Sequence, residues 1–176
     1  IRLQVMKSGF ALDEAYEVAD EIDNSLGEKL EYAFDERIGF LTQCPTNLGT
    51  GLRASVMLHL PALENNGEID PLSASVGKIG FTVRGMYGEG SRATASLYQI
   101  SNQITMGMSE GELIEKLKNI VNQIKTHEEN TREKLKKEKP ELIIAVGGCM
   151  TQEKGKTEIL KQKFPFIDIM FGTLNL

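Results

Sequence analysis

Two long stretches place apolar residues at three- and four-residue spacing, and several short ones alternate apolar with polar, so the chain is predicted to mix helices with strands. Leu12, Ala15, Tyr16, Ala19, Ile22 and Leu26 draw one apolar stripe along a helix over about 11–30, with aspartates and glutamates between them. Ser109-Glu110-Gly111-Glu112 has the spacing of a capping box, serine as N-cap and glutamate three residues on. It opens a second stripe of Leu113, Ile114, Leu117, Ile120, Val121 and Ile124. The charged stretch 127–139 continues that helix as an exposed face until Pro140 ends it. A short helix is expected to about residue 78, with Asp70 as N-cap and Pro71 in its first turn.

Strands are expected at the start of the chain, where Ile1, Leu3 and Val5 face away from Arg2 and Gln4, and at 32–42, folded about Asp35-Glu36-Arg37. ASVMLHLP, Gly80–Arg84 and the loosely alternating 97–106 supply three more, and Gln99 and Asn102 in the last read as structural hydrogen bonders. Past Pro140 the pattern changes. Glu141–Gly148 reads as a buried-type strand, followed by a helix over 151–163 and a further strand, a β-α-β unit whose strands are expected to pair in parallel.

The chemistry concentrates in FLTQCPTNLGTGLRASV, residues 40–56. Pro45 fixes its own φ, Gly49 and Gly51 open backbone angles closed to other residues, and Thr46, Asn47 and Thr50 offer side-chain hydrogen bonds. The result is a pre-shaped loop suited to an anion, with the planar donor fork of Arg53 just beyond it. Gly49-Thr50-Gly51-Leu52-Arg53-Ala54 also satisfies G-x-G-x-x-A, but that dinucleotide pattern needs a helix at its second glycine and here a strand follows. Cys44 is either inert packing or a thiol whose ionisation the neighbouring N–H groups and arginines favour. Arg84 and Glu89 stand five residues apart across a glycine-rich segment: an internal ion pair, or a cation and a carboxylate for phosphoryl transfer. The acidic residues of the first helix read as a solvated face and not a metal site, and His59 and His127 as structural, His127 with no partner pattern around it.

Composition narrows the class. The 176 residues are 40% hydrophobic with a net charge of −5, enough for a core and without the basic field of a nucleic-acid binder. The lysines of 127–139 interleave with glutamates at helical spacing, which favours a salt-bridged face over a nucleic-acid contact. Two cysteines in unlike contexts imply a reducing, cytoplasmic setting, and no apolar run is long enough for a bilayer. The sequence opens inside an alternating run without an initiator methionine, so it is expected to begin mid-domain.

Cys44-Pro45-Thr46-Asn47-Leu48-Gly49-Thr50 resembles the signature loop of the phosphagen (guanidino) kinases. Tyr32–Arg37, Arg53–Val56, Val83-Arg84-Gly85 with Gly88-Glu89, and Tyr98–Gln103 match that family's flanking words in order. Met57 and Tyr87 lean toward its bacterial protein arginine kinase branch. Over residues 1–135 the resemblance implies a partial α+β catalytic domain, a mostly antiparallel sheet with helices on one side. It implies ATP with Mg2+ as phosphoryl donor and protein arginine side chains as acceptor. Arg2, Arg53 and Arg84 would take the nucleotide phosphates, Cys44 and Glu89 the guanidinium, and Thr46 and Asn47 the loop that positions it. The family's acidic catalytic motif would lie before residue 1, so impaired turnover is expected.

Residues 136–176, with Lys139–Met150, Phe164–Ile169 and Phe171-Gly172-Thr173, resemble a fragment of the N-terminal domain of radical SAM tRNA methylthiotransferases. There Cys149 would be one iron–sulfur ligand of three, and the other two have no counterpart, so no metal is expected. The two resemblances imply unlike fragments joined near 132–139, by gene fusion or by sequence assembly. Two alternatives to a kinase remain at this level: a non-catalytic nucleotide- or phosphoarginine-binding module, and a methylthiotransferase remnant.

Overall fold

The computed structural model describes residues 1–85, 94–148, 151 and 155–172. Glu89 and Cys149 lie outside the described residues. The chain divides into two compact units, Ile1–His127 and Glu128–Leu176.

In the first unit, α1 (Leu12–Gly27) follows the predicted stripe except at Ile22, which is exposed. Leu12, Ala15, Tyr16, Ala19 and Leu26 are half-buried while the acidic residues between them are exposed. A short hairpin of β1 (Phe34–Asp35) and β2 (Gly39–Phe40) turns on Asp35, whose carboxylate accepts the N–H groups of Arg37 at 2.9 Å and Ile38 at 3.1 Å. Then come β3 (Ser55–His59), two helices, α2 (Pro61–Asn65) and α3 (Ile69–Gly77), and the strands β4 (Phe81–Gly85) and β5 (Leu97–Asn102). These three strands form one antiparallel sheet in the order β3-β5-β4.

Register sorts the sheet's side chains. Val56, Ile100 and Val83 stand in one cross-strand row, and Phe81 pairs with Asn102 on the same face. That face joins the core, where Phe81 and Ile100 are fully buried in one cluster with Leu60, Leu63 and Val76. The long helix α4 (Glu110–Glu138) adds Leu113, Leu117, Ile120, Val121 and Ile124, most of the stripe read from sequence. Burying five such side chains stabilises the unit by roughly 1.5–3 kcal/mol each before chain entropy is charged against it. The capping box forms: Ser109 N–H donates to the Glu112 carboxylate at 2.9 Å, and Glu112 N–H donates back to the serine oxygen at 3.3 Å. Lys118 ties α4 to α1 through Asp13 at 2.9 Å while also meeting Glu115 at 2.6 Å. These two carboxylates, Glu115 first, push its ammonium up to about 12.

Four expectations need correction. Residues 1–7 join no ladder, and Ile1 and Met6 are each 94% exposed, because alternation alone does not make a strand without a neighbour to pair with. Asp70 is not a cap: Glu68 holds the N-cap position of α3 and Asp70 sits in its first turn. His127 does have a partner, since its Nε2 lies 2.7 Å from a carboxylate oxygen of Glu68. The expected buried strand 141–148 shrinks to β6 (Ala145–Gly147) with alternating exposure, and Ile143 is 67% exposed. A two-stranded ladder has too few neighbours to cover both faces.

In the second unit β6 pairs in parallel with β7 (Ile169–Phe171), and α5 (Lys156–Lys163) lies between them in sequence, the β-α-β order expected. Asp168 fastens it. Its carboxylate accepts the Ile144 N–H at 2.8 Å and the Lys136 ammonium at 2.7 Å, and both, the backbone donor first, hold its carboxyl below the ordinary carboxylate value. No helix among the described residues is long and apolar enough to cross a membrane.

Candidate active site

The sheet's second face carries the polar set. Met57, Gln99 and Arg84 form one row across β3, β5 and β4, and Ser55, Ser101 and Thr82 form the next. Gln99 is oriented by donating from Nε2 to the Ser55 hydroxyl at 3.0 Å, and Arg84 is half-buried beside it. Arg53 is exposed two residues before β3 begins, at the margin of this face. Asn102, fully buried at the end of β5, holds the approach to β3. Its amide oxygen accepts from Ala54 N–H at 2.8 Å, and its Nδ2 donates to the Leu52 carbonyl at 3.0 Å and the Ile104 carbonyl at 3.1 Å. Both hydrogen-bonding roles read from sequence are therefore filled.

Leading into that margin, the Cys44 loop is a short 3-10 turn over Pro45–Asn47, closed by an Asn47 N–H to Cys44 carbonyl bond of 3.0 Å. Thr42 donates to the same carbonyl at 2.7 Å. The exposed Cys44 sulfur lies 3.0 Å from the Thr46 hydroxyl. Hydrogen bonds from the Thr46 side chain and backbone hold the thiol below its ordinary value, and the charge of Arg53 adds to them. The loop's far end is pinned by Phe40 and Gly49, which exchange backbone bonds of 2.8 and 3.2 Å.

The residues expected to act together are thus partly assembled. Cys44, Thr46 and Arg53 share one electrostatic neighbourhood, and Arg84 lies on the sheet face that begins next to Arg53. Asn47 contributes its backbone, and its side chain is half-buried. Arg2 is exposed in the unladdered segment. A cavity of about 270 Å3 lies elsewhere, lined by Phe34, Phe40, Met108 and Ser109 and sharing Gly49 and Thr50 with the loop. Neither Cys44 nor Arg53 nor Arg84 lines it.

One contributor escaped the sequence reading. Thr105 is 6% exposed, and its hydroxyl meets the carbonyls of Leu48 at 2.6 Å and Thr46 at 3.1 Å. No spacing rule links it to a loop more than fifty residues earlier.

Comparison with known proteins identifies the family. Residues 1–131 match the family model described as ATP:guanido phosphotransferase, C-terminal catalytic domain. The chain belongs to that family. A protein-arginine kinase of Clostridium acetobutylicum is 57% identical over 137 residues, covering 78% of this chain and 40% of the relative. One of Caldanaerobacter subterraneus subsp. tengcongensis is 50% identical over 148 residues, covering 84% of the chain and 44% of the relative. Among solved structures, lombricine kinase superposes with a TM-score of 0.62 at 30% identity, over 69% of this chain and 34% of that one. The duplicated taurocyamine kinase of Schistosoma mansoni, solved with bound transition state analog components, gives 0.60 at 31% identity over 67% and 16%. The chain therefore spans roughly two fifths of the length of these curated relatives. The family's sheet with flanking helices is the architecture seen in the first unit.

Proposed function

We propose that the first unit is the phosphate- and guanidinium-handling part of an ATP-dependent protein arginine kinase. The observation that carries this reading is the joining of the Cys44 loop, through Arg53, to a sheet face that bears Arg84. The donor arrives as the magnesium complex of ATP. As the bond from the γ-phosphorus to the bridging oxygen breaks and a guanidinium nitrogen bonds to that phosphorus, negative charge spreads over the phosphoryl oxygens and onto the ADP leaving group. Arg53 and Arg84 meet that charge. On the acceptor side, the Cys44 sulfur, whose ionisation Thr46 and Arg53 favour, faces the cationic guanidinium, and Glu89 supplies a carboxylate that holds it in line. The guanidinium loses a proton as it is phosphorylated, and in this reading the base is the family's acidic motif. Arg2 belongs to the phosphate set in this reading, and the setting is cytoplasmic.

Calorimetry on the 176-residue chain tests the nucleotide half. Weak ATP binding is expected, falling roughly tenfold or more in Arg53→Ala and in Arg84→Ala, since each removes a charge-assisted contact of about 1.5–3 kcal/mol. Equal affinity in all three proteins refutes the assignment.

Residues 136–176 we read as a methylthiotransferase-like fragment joined near 132–139, a reading supported by the β-α-β order of the second unit. An iron–sulfur cluster does not fit it. Two cysteines in the whole chain, one of them in the kinase loop, leave a single thiolate where a cluster needs several. Anaerobic reconstitution is expected to leave no stoichiometric iron, and iron at cluster stoichiometry that disappears in Cys149→Ser is the contrary result.

A further inference from the structure

The segment between β5 and α4, residues 103–109, does more than connect two elements. Its buried Thr105 is tied to alternate residues of the Cys44 loop. The side chain of Thr105 shares its one hydroxyl proton between the Leu48 carbonyl at 2.6 Å and the Thr46 carbonyl at 3.1 Å. The main-chain carbonyl of Thr105 accepts the Thr50 N–H at 2.9 Å and the Thr50 hydroxyl at 3.2 Å. Gly49, between two of these partners, has a φ of +99° and so little room that a β-carbon there would run into the Thr105 carbonyl.

The geometry at Thr46 carries the consequence. In a trans peptide the carbonyl and the following N–H point in opposite directions. With the Thr46 carbonyl turned to Thr105, the Asn47 N–H of the same peptide turns to the Cys44 carbonyl, where it bonds at 3.0 Å. That bond closes the turn in which the Thr46 hydroxyl sits 3.0 Å from the Cys44 sulfur.

We propose that Thr105 is the positioning residue of the Cys44 loop, its hydroxyl holding the Thr46 and Leu48 carbonyls so that the turn presents the Cys44 sulfur to its partner hydroxyl. Thr105 touches no reacting atom and acts through Thr46. Its effect on phosphoryl transfer rests on the kinase reading above, whereas its effect on the thiol does not.

The test uses the 176-residue chain with Cys149→Ser, which leaves Cys44 as the one thiol, and follows iodoacetamide alkylation against pH. Thr105→Val keeps the side chain's shape and deletes the hydroxyl. It is expected to move the midpoint of the alkylation profile upward and to slow alkylation at pH 7 several-fold, while Thr105→Ser leaves both where they were. A residue that only stabilised the fold would lower Tm and leave the midpoint in place, so an unchanged midpoint in folded Thr105→Val overturns the proposal. Hydrogen exchange in the unsubstituted chain needs no variant. The Asn47 and Thr50 amides are expected to be protected together, and Asn47 exchanging at the rate of an open-loop amide overturns the proposal equally. If the thiol responds as expected but ATP binding is insensitive to Arg53→Ala and Arg84→Ala, the kinase reading fails and the positioning role stands.

Discussion

Alanine at position 84 is expected to lower phosphoryl transfer by about a thousandfold, the scale set when a phosphoryl-transfer site loses an arginine that meets transition-state charge. The experiment needs a complete catalytic framework. We envisage a chimera in which residues 1–131 replace the matching segment of a full-length curated relative. Arg84 stands in the same cross-strand row as Gln99 and Met57, on the face opposite the core, so its removal leaves Phe81, Ile100 and the α4 stripe untouched. The loss should appear in a chimera that still folds, and more in kcat than in KM for the arginine acceptor. Arg84→Lys keeps a charge but not the planar fork and should recover only part of the rate. An Arg84→Ala chimera within a few-fold of the parent would show that this charge does not act in the transition state.

Gly49→Ala is the second large effect, and it acts through stability. Its φ of +99° disfavours any β-carbon, and the atom that carbon would meet is the Thr105 backbone carbonyl, which cannot swing aside. Left-handed backbone and overpacking together destabilise by about 2–4 kcal/mol. That corresponds to roughly a 10 °C fall in Tm for a unit of this size. Gly51 is the internal control. Its φ is also positive, +64°, but a β-carbon there meets nothing closer than the Asn47 carbonyl at 3.8 Å, so Gly51→Ala should show the backbone term alone. Thermal denaturation of both variants compares them, and equal Tm losses would mean that the close approach of Gly49 to Thr105 has no energetic weight.

Much of this architecture was legible because it follows from local pattern. The stripe from Leu113 to Ile124 and the Ser109–Glu112 box are three- and four-residue signals, and both α4 and its cap form, although Glu128 and Thr131, in the continuation read as exposed, are buried. The apolar residues of ASVMLHLP and the loose alternation of 97–106 predict strands, the second ending sooner, at Asn102, and their register then decides that Arg84, Gln99 and Met57 share a face. What stayed hidden depends on distant partners. Ile1–Met6 alternates as well as β3 does but has no strand beside it. The His127–Glu68 pair and the bonds from Thr105 to Thr46 and Leu48 join residues more than fifty positions apart, beyond any periodicity. The Cys44 loop was recognisable from its proline and glycines, but the sequence offered Arg53 and clustered N–H groups as the cause of thiol activation. The structure adds the Thr46 hydroxyl as the first of those causes.

The most direct measurement is the product itself. The chimera carrying residues 1–131 is incubated with magnesium and ATP and with a protein substrate rich in arginine, and the phosphorylated residues are identified by mass spectrometry under conditions that preserve phosphorus–nitrogen bonds. The account predicts acid-labile phosphate on arginine, lost in Arg84→Ala and in Glu89→Gln, with ATP binding kept in the latter. A folded chimera that binds ATP and forms no phosphoarginine would contradict it and leave a nucleotide-binding module in its place.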